Sequence, residues 1–200
     1  MCYPSTEPSS PPCLEIVPPR AQAPRRPAAR RRIEILHATV EIIARDGVGA
    51  FRVEDVGQRI GVAKTTIYRY YATRERLLVE AIRLITSDHL RPLLEPLPHE
   101  PLEYRLDQFV FGLCQAARQP SVLAVFGPGP AIVAAESVAA ADHVKATLTR
   151  LADRMAELAG RSGVDRRLVP LAPVLVSGIF AAAAWSPATC CDTLAESLAG

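Results

Sequence analysis

Residues 53–71, VEDVGQRIGVAKTTIYRYY, are the stretch of sequence that decides the fold. Val53, Val56 and Ile60 recur at i, i+3 and i+7, which predicts a short helix with one buried face. Gly61 is expected to end that helix, and a second short helix follows after a turn of three residues. Two short helices joined by a tight, glycine-led turn are typical of a helix-turn-helix.

The second helix, over residues 64–70, is predicted to have one buried and one exposed face. Ile67 and Tyr71 stand four apart and are expected to face the core. The other polar tips suit base edges and phosphates in a DNA major groove. The side chains left for such contacts are Lys64, Thr65, Thr66, Tyr68 and Tyr70. The alternative is that the tyrosines are half-buried packing residues and that Lys64 and Arg69 form a solvated face.

The positive charge of the chain is concentrated around the same stretch. Residues 20–75 hold 12 Lys and Arg against 6 Asp and Glu, which gives +6. Residues 76–200 hold 11 against 13, which gives −2, and residues 1–19 add −2. Because the excess is local, it indicates a polyanionic partner for the N-terminal part alone. A protein–protein adaptor does not explain such a confined charge.

The segment before the helix-turn-helix combines a predicted tail with a first helix. Residues 1–27 contain eight prolines and almost no large apolar side chain, so we expect them to be disordered. The six arginines of residues 20–32 leave two interpretations open: a solubilising tail or mis-assigned start, and a flexible basic arm that lies on DNA. A helix is predicted over residues 28–45. Its apolar face is predicted to consist of Ile33, Leu36, Val40 and Ile43.

The rest of the chain is predicted to be helical throughout. Apolar periodicity and proline positions predict helices over residues 73–91, 101–118, 131–159, 165–185 and 186–199. No apolar run has the length of a membrane span, and a secretory signal is not expected. The five cysteines show no zinc-ligand spacing. We therefore expect a cytoplasmic protein with reduced thiols, no cofactor and no contact with a membrane.

Residues 30–82 resemble the N-terminal domain of tetracycline-repressor (TetR) family regulators. The resemblance rests on ILHATVEIIARDG in the first helix, on VEDVGQRIGVAKTTIYRYY, and on the capped TRERLL that opens the fourth helix. It covers about a quarter of the chain, and beyond it only the number and order of helices are similar. The expected fold is all-α, with an N-terminal three-helix helix-turn-helix DNA-binding domain and a C-terminal helical ligand-binding and dimerisation domain.

The resemblance implies a homodimer that reads a pseudo-palindromic operator in double-stranded DNA. Members of the family generally repress transcription and are released by a small-molecule effector. By position, the residues on family DNA contacts are Lys64, Thr66, Tyr68 and Tyr70, with Arg74 where a basic residue meets a phosphate. The expected domains are residues 1–27 for the tail, 28–75 for DNA binding, and 76–200 for ligand binding and dimerisation.

Three positions depart from the common family pattern. Ala63 stands where a capping serine is frequent, so that hydroxyl contact is missing. Arg52 stands where a threonine or serine usually caps the second helix, and we expect its guanidinium to meet a phosphate instead. Tyr70 replaces a frequent histidine but keeps a polar tip. These departures affect the list of contacts and leave the domain assignment intact.

The C-terminal helices contain candidates for ligand binding and for dimerisation. Polar side chains beside apolar stripes, with nearby aromatic residues, suit a largely hydrophobic ligand, although each polar one is alternatively a surface or satisfied residue. The ligand candidates are His89, Tyr104, Gln108, Phe109, Arg118, Phe126 and His143. Small residues suit a four-helix dimer interface, and the alternative is packing within one subunit. The interface candidates are Gly178, Ala181, Ala182, Trp185, Leu194 and Leu198.

Two alternatives stand beside a ligand-released repressor. The first is a transcriptional activator, or a regulator without an inducer, that uses the same DNA-binding domain. The second is an enzyme in the C-terminal helices. It is disfavoured because the sequence contains no HExxH, GxSxG or phosphate-loop motif, and because the histidines lack metal-ligand spacing. The sequence therefore predicts a DNA-binding regulator and not an enzyme.

Overall fold

The computed structural model describes residues 28–95, 102–128 and 130–185, without the side chains of residues 102–105. Outside this description lie the predicted tail 1–27, the predicted helix 186–199, Leu194, Leu198 and the side chain of Tyr104. Within the described ranges all regular structure is helical, which confirms the predicted all-α class.

Four helices form the first part of the described chain. They are α1 (Ala28–Asp46), α2 (Val53–Ile60), α3 (Lys64–Tyr70) and α4 (Arg74–His89). The bounds of α2 and α3 are those predicted, since both helices are specified by local signals. Thr73 caps α4, because its hydroxyl accepts a hydrogen bond from the Arg76 N–H at 3.0 Å. The helix ends at His89, slightly before the predicted end.

Further helices follow in the second part. They are α5 (Arg91–Leu94), α6 (Leu102–Ala117), α7 (Pro120–Phe126), α8 (Pro130–Glu136), α9 (Val138–Arg161), a 3-10 turn (Val169–Leu171) and α10 (Ala172–Trp185). The helix predicted over 131–159 is in fact two helices. Ser137 is extended and caps α9, since its hydroxyl accepts a hydrogen bond from the Ala140 N–H at 3.1 Å. Pro170 lies in the 3-10 turn, so α10 starts at Ala172 and not near residue 165.

The buried face of α1 differs from the predicted one. Ile33 is 55% exposed, and Leu36 and Val40 are only half-buried. The buried residues of α1 are Ile35, Ala38, Thr39, Ile42 and Ile43. The prediction was right for Ile43 and wrong for the other three, because α1 packs against α2, α4 and α7 together. Three neighbours fix the orientation of the helix, and apolar spacing alone does not.

The core runs without interruption from the helix-turn-helix into the C-terminal helices. In the second part, α9 packs against α4, α6, α8 and α10, and the rings of Phe126 and Phe180 stack with centroids 5.4 Å apart. This continuity joins α9 to α4 and to the helix-turn-helix through buried side chains. Among the described residues no single helix has the length and hydropathy of a membrane span, although α6 and α7, bent by 92°, meet those criteria jointly.

Candidate nucleic-acid interface

The turn between α2 and α3 is held close to α2 by two glycines. Gly61 has a φ of +68°, in the left-handed region that suits glycine. The Val62 N–H donates to the Gly57 carbonyl at 2.9 Å. A Cβ on Gly57 would lie only 2.7 Å from the carbonyl oxygen of Val62, so this position also requires glycine. Sequence pattern does not reveal that requirement, because it arises from the close approach of the turn to the helix.

The inner side of α3 is anchored in the core as predicted. Ile67 is fully buried and Tyr71 is 2% exposed. The Tyr71 hydroxyl donates to the Arg32 carbonyl at 3.1 Å, and the Arg32 guanidinium lies 5.0 Å from the centroid of the Tyr71 ring. Burial raises the pKa of Tyr71, and the contact with Arg32 opposes that rise. These contacts tie α3 to the first turns of α1.

The first residue of α3 is held by a carboxylate on α2. The Lys64 ammonium donates to Glu54 Oε1 at 2.5 Å and lies 5.7 Å from the centroid of the Tyr68 ring. The hydrogen bond raises the pKa of Lys64 and lowers the pKa of Glu54. Both side chains are about half exposed, so the pair stands at the surface. Glu54 is not among the sequence-predicted site residues.

The other predicted contacts on α3 cover its outer side to different degrees. Thr65 is exposed, whereas Thr66, Tyr68 and Tyr70 are half-buried, and both tyrosines pack partly against the core. The half-buried packing of the tyrosines is thus confirmed, and because part of each side chain reaches the surface, their contact with DNA stays a prediction. Ala63, the residue before α3, makes no side-chain cap.

Arg52 and Arg74 flank the helix-turn-helix and differ in their surroundings. Arg52 precedes α2, is exposed, and makes no side-chain cap to that helix. Arg74 Nη2 donates to the Phe51 carbonyl at 3.0 Å and to Glu136 Oε2 at 2.7 Å. Its guanidinium also lies 5.2 Å from the centroid of the Phe51 ring. The predicted phosphate contact Arg74 is thus engaged within the protein in this structure.

A second hydrogen bond joins the same two regions. The Ser137 hydroxyl donates to Glu75 Oε1 at 2.9 Å. Glu75 belongs to the first turn of α4, and Ser137 separates α8 from α9. The Ser137–Glu75 hydrogen bond and the Arg74–Glu136 ion pair together link the start of α4 to the α8–α9 junction.

Residues 35–81 match the family described as "Bacterial regulatory proteins, tetR family". Over these residues the chain is similar to the N-terminal domain of the TetR family. The match spans α2, α3, most of α1 and the first half of α4, which are the elements that support the exposed face of α3. The resemblance to the TetR family is therefore confirmed over residues 35–81.

Solved structures of regulators share the fold over most of the chain. A TetR-like transcriptional regulator from Rhodococcus sp. RHA1 is 18% identical, with a TM-score of 0.60 over 88% of this chain and 100% of that chain. NalD, the secondary repressor of the MexAB-OprM multidrug efflux pump in Pseudomonas aeruginosa, is 19% identical, with a TM-score of 0.53 over 86% and 94%. A Saccharomonospora viridis structure in complex with choline is 19% identical, with a TM-score of 0.62 over 86% and 94%. A search of curated proteins finds no match.

Beyond the TetR-family domain, an apolar cleft of about 510 Å³ lies between α6, α9, the 3-10 turn and α10. The residues that line it are Leu106, Val110, Met155, Ala159, Val164, Leu168, Val169, Ala172, Val174, Leu175, Gly178, Ile179 and Ala182. None of these side chains carries a charge, a hydroxyl or an amide. Such a surface binds through shape and apolar contact and offers no side-chain hydrogen bond.

The predicted ligand candidates lie elsewhere in the TetR-type fold, and none of those with described side chains lines the cleft. Gln108 and Arg118 are exposed, and Phe109 and Phe126 are buried in the core. His89 is half-buried at the end of α4, and His143 Nε2 lies 3.3 Å from Thr86 Oγ1 on α4. These side chains were selected for polarity beside apolar stripes. The cleft is instead formed by aliphatic residues that the selection did not consider.

The predicted dimer candidates on α10 are all exposed. Trp185 is 91% exposed, and Ala181 lies on the exposed side of the same helix. Gly178 and Ala182 line the cleft as well. The predicted interface on α10 and the mouth of the cleft are therefore neighbouring parts of one surface.

Proposed function

We propose that this protein is a cytoplasmic, dimeric repressor that leaves a pseudo-palindromic operator when a small, largely hydrophobic ligand binds. The observation that carries the DNA-binding part is the exposed polar face of α3 on a buried underside formed by Ile67 and Tyr71. The residues proposed to contact DNA are Arg52, Lys64, Thr65, Thr66, Tyr68, Tyr70 and Arg74. In a major groove, Lys64 at the start of α3 reaches base edges or phosphates, and the tyrosine hydroxyls reach phosphates.

The cleft between α6, α9 and α10 is the proposed site for the effector. Its volume of about 510 Å³ is within the usual range for small-molecule pockets, and its aliphatic lining selects an uncharged, apolar molecule. This site replaces the scattered polar candidates as the centre of ligand recognition. The molecule named in the Saccharomonospora viridis structure is a cation, and the lining of this cleft provides neither a carboxylate nor an aromatic ring for one.

The contacts between α4 and the α8–α9 junction support communication between the two sites. Glu136 and Ser137 hold the side chains of Arg74 and Glu75 at the start of α4. The helix α9 that follows Ser137 forms one wall of the cleft. A ligand that shifts α9 therefore changes the position of α4 and the availability of Arg74 for a phosphate. A coupling of this kind is reciprocal, so operator DNA is expected to weaken ligand binding equally.

Dimerisation is proposed to use the exposed face of α10, with Gly178, Ala181, Ala182 and Trp185, together with Leu194 and Leu198. The exposed face of α10 is apolar, and its Trp185 is 91% exposed. An exposed apolar face of this kind supports a symmetric interface in which it packs against the same face of a second copy. Sedimentation at increasing protein concentration tests the proposal. A chain that remains a monomer at micromolar concentration contradicts it.

DNA binding is tested by titrating the duplex that flanks the protein's own gene, with a random duplex of equal length as reference. Lys64→Ala and Tyr68→Ala are expected to weaken binding to the flanking duplex by roughly five- to fiftyfold while the dimer persists. Lys145→Ala removes the same charge from an exposed position on α9 and is the matched control. If the wild type does not prefer the flanking duplex, or if Lys64→Ala behaves as Lys145→Ala does, the proposal is wrong. A reporter with the flanking DNA upstream separates repression from activation.

Ligand binding is tested with the neutral fluorescent probe N-phenyl-1-naphthylamine. Gly178 faces open space in the cleft, so Gly178→Leu narrows the site without a clash. Gly160→Leu, also in open space on a helix, is the matched control. We expect the probe to bind the wild type and Gly160→Leu, to bind Gly178→Leu at least tenfold more weakly, and to release operator DNA. Because Gly178 also belongs to the proposed interface, sedimentation must show that Gly178→Leu remains a dimer. Equal probe binding by both variants places the effector outside the cleft.

A further inference from the structure

Glu54 and Lys64 form a surface ion pair at the point where α3 begins. Glu54 lies in the first turn of α2, and Lys64 is the first residue of α3, ten positions later in the chain. The two side chains are 52% and 48% exposed, so neither is fixed by burial. Two contacts locate the Lys64 ammonium. Its nitrogen lies 2.5 Å from Glu54 Oε1 and 5.7 Å from the centroid of the Tyr68 ring.

The pair limits what Lys64 is able to bind. A lysine ammonium has three N–H donors on a flexible stem, and a free one satisfies almost any nearby acceptor. In this structure one donor goes to Glu54, and the nitrogen lies 5.7 Å from the centroid of the Tyr68 ring. The remaining donors are therefore held near Glu54 and Tyr68. An acceptor on DNA must lie within reach of that position, so the location of the acceptor affects binding by Lys64 more than its charge does.

The charge of Glu54 is also expected to lower the affinity for DNA of any sequence. A carboxylate beside the recognition helix offsets the charge of Lys64 and repels phosphates, which reduces the sequence-independent part of binding. Its place in the first turn of α2 suits the positive end of that helix, so the carboxylate is stabilised there without DNA. A carboxylate at a DNA-facing surface weakens binding to operator DNA and to other DNA. It is useful to the protein if it weakens binding to other DNA more.

We propose that Glu54 is a positioning residue for sequence discrimination: it aims the Lys64 ammonium at one acceptor on the operator and lowers binding to other DNA. The proposal rests on the proposed contact between Lys64 and operator DNA. Glu54 itself touches no base in this scheme and acts through Lys64. Glu54 therefore lowers the overall affinity for DNA and raises the ratio of the affinity for the operator to the affinity for random-sequence DNA.

The structure offers a matched control in the same domain. Glu41 Oε2 accepts a hydrogen bond from Arg59 Nε at 2.9 Å, and the exposed fractions of these side chains, 56% and 60%, resemble those of Glu54 and Lys64. Glu41→Ala and Glu54→Ala remove the same charge and the same kind of surface contact. Only Glu54 is bonded to the start of α3.

The experiment compares two duplexes: the one that wild-type protein enriches from a randomised library, and a scrambled duplex of the same composition. For Glu54→Ala we expect tighter binding to the scrambled duplex, a log–log salt slope steeper by up to about one, and an operator-to-scrambled ratio about tenfold lower. Glu54→Gln loses the charge and keeps an acceptor, so its ratio is expected to fall less. Glu41→Ala is expected to leave the ratio within about twofold. Thermal unfolding of each variant confirms that the domain remains folded.

Two results overturn the inference. One is an equal fall in the ratio for Glu54→Ala and Glu41→Ala, which shows an effect of net charge alone. The other is a fall that persists when Glu54→Ala is added to Lys64→Ala, because a positioning residue has no effect once its target is gone. If Lys64 does not contact operator DNA at all, Lys64→Ala binds the enriched duplex as tightly as the wild type. That result distinguishes failure of the proposed Lys64 contact from failure of the inference about Glu54.

Discussion

The outer face of α3 and the cleft beside α10 belong to different halves of the chain and are built from opposite kinds of side chain. On α3, a lysine, two threonines and two tyrosines present donors and acceptors, and the lysine is itself hydrogen-bonded to a carboxylate. The cleft presents aliphatic side chains and glycine. Under the proposed function, discrimination on α3 depends on the direction of hydrogen bonds, and discrimination in the cleft depends on volume and shape.

The two regions also differ in how they are supported. Beneath α3, Ile67 and Tyr71 are buried and the turn to α2 is closed by backbone hydrogen bonds. Around the mouth of the cleft, Val174 and Leu175 are more than half exposed. A rigid support keeps donors in register for DNA, and a less enclosed aliphatic wall adapts to a ligand. The comparison makes definite predictions about which substitutions matter in each region.

The largest effect is expected from Ile67→Ala. The side chain is fully buried under α3, so its loss leaves a cavity and lowers the free energy of unfolding by about 2–5 kcal/mol. Urea unfolding followed by circular dichroism measures the loss, and operator binding is expected to fall with it. Val174→Ala, at a 68% exposed position by the cleft, is the comparison and should stay within about 0.5 kcal/mol. A loss at Val174 as large as that at Ile67 breaks the comparison, because it means that the proposed α10 interface extends over Val174 and the mouth of the cleft.

A smaller effect is expected from Glu136→Gln, which weakens the link between the two regions. The ion pair with Arg74 is partly exposed, so the loss in the free energy of unfolding is about 1 kcal/mol or less. Arg74 is then freer to meet a phosphate, and operator affinity should rise a few-fold with a steeper salt slope. Glu95→Gln, in an exposed pair with Arg91 at 3.6 Å, is the control and should change neither quantity. Weaker operator binding by Glu136→Gln shows instead that the pair supports the DNA-bound form.

The parts of the fold that sequence predicts are those specified by neighbours in the chain. The period of Val53 and Val56, the left-handed Gly61 and the cap at Thr73 are local signals, and the bounds of α2, α3 and the start of α4 follow from them. The buried side of α1 was in large part predicted wrongly because three helices orient it. Gly57 was missed because its role depends on the carbonyl of Val62 in the following turn.

The candidate sites show the same division. The outer face of α3 follows from helical spacing, so its residues were identified from the sequence, and their contacts with DNA stay a prediction. Glu54 and Glu136 were missed because each acts on a side chain of another helix, ten and 62 positions away. The cleft was missed for a related reason. Its walls come from four separate segments, and aliphatic residues in helices usually form ordinary core, so their sequence pattern does not distinguish a cavity from packing.

The smallest effect on the free energy of unfolding is expected from substitution of His143. This residue lies on α9, between α3 and the cleft, and its side chain faces Thr86 on α4. Burial, with the charges of Arg83 and Arg150, holds the pKa of His143 below its usual value. The unfolded chain then binds the proton more readily than the folded one. The stabilising contribution is therefore complete above the usual histidine pKa of about 6.5 and is lost as the pH falls below it.

His143→Asn removes this titration and keeps a polar side chain opposite Thr86. The free energy of unfolding of the wild type, measured in urea at several values between about pH 5.5 and 7.5, should fall more steeply with acid than that of the variant. His37→Asn, at an exposed position on α1, is the control and should keep the pH profile of the wild type. Parallel profiles for the wild type and His143→Asn show that the contact between α4 and α9 opens to water. In that case α9 is less firmly packed on α4 near His143 than the hydrogen bonds at Arg74 and Glu75 imply.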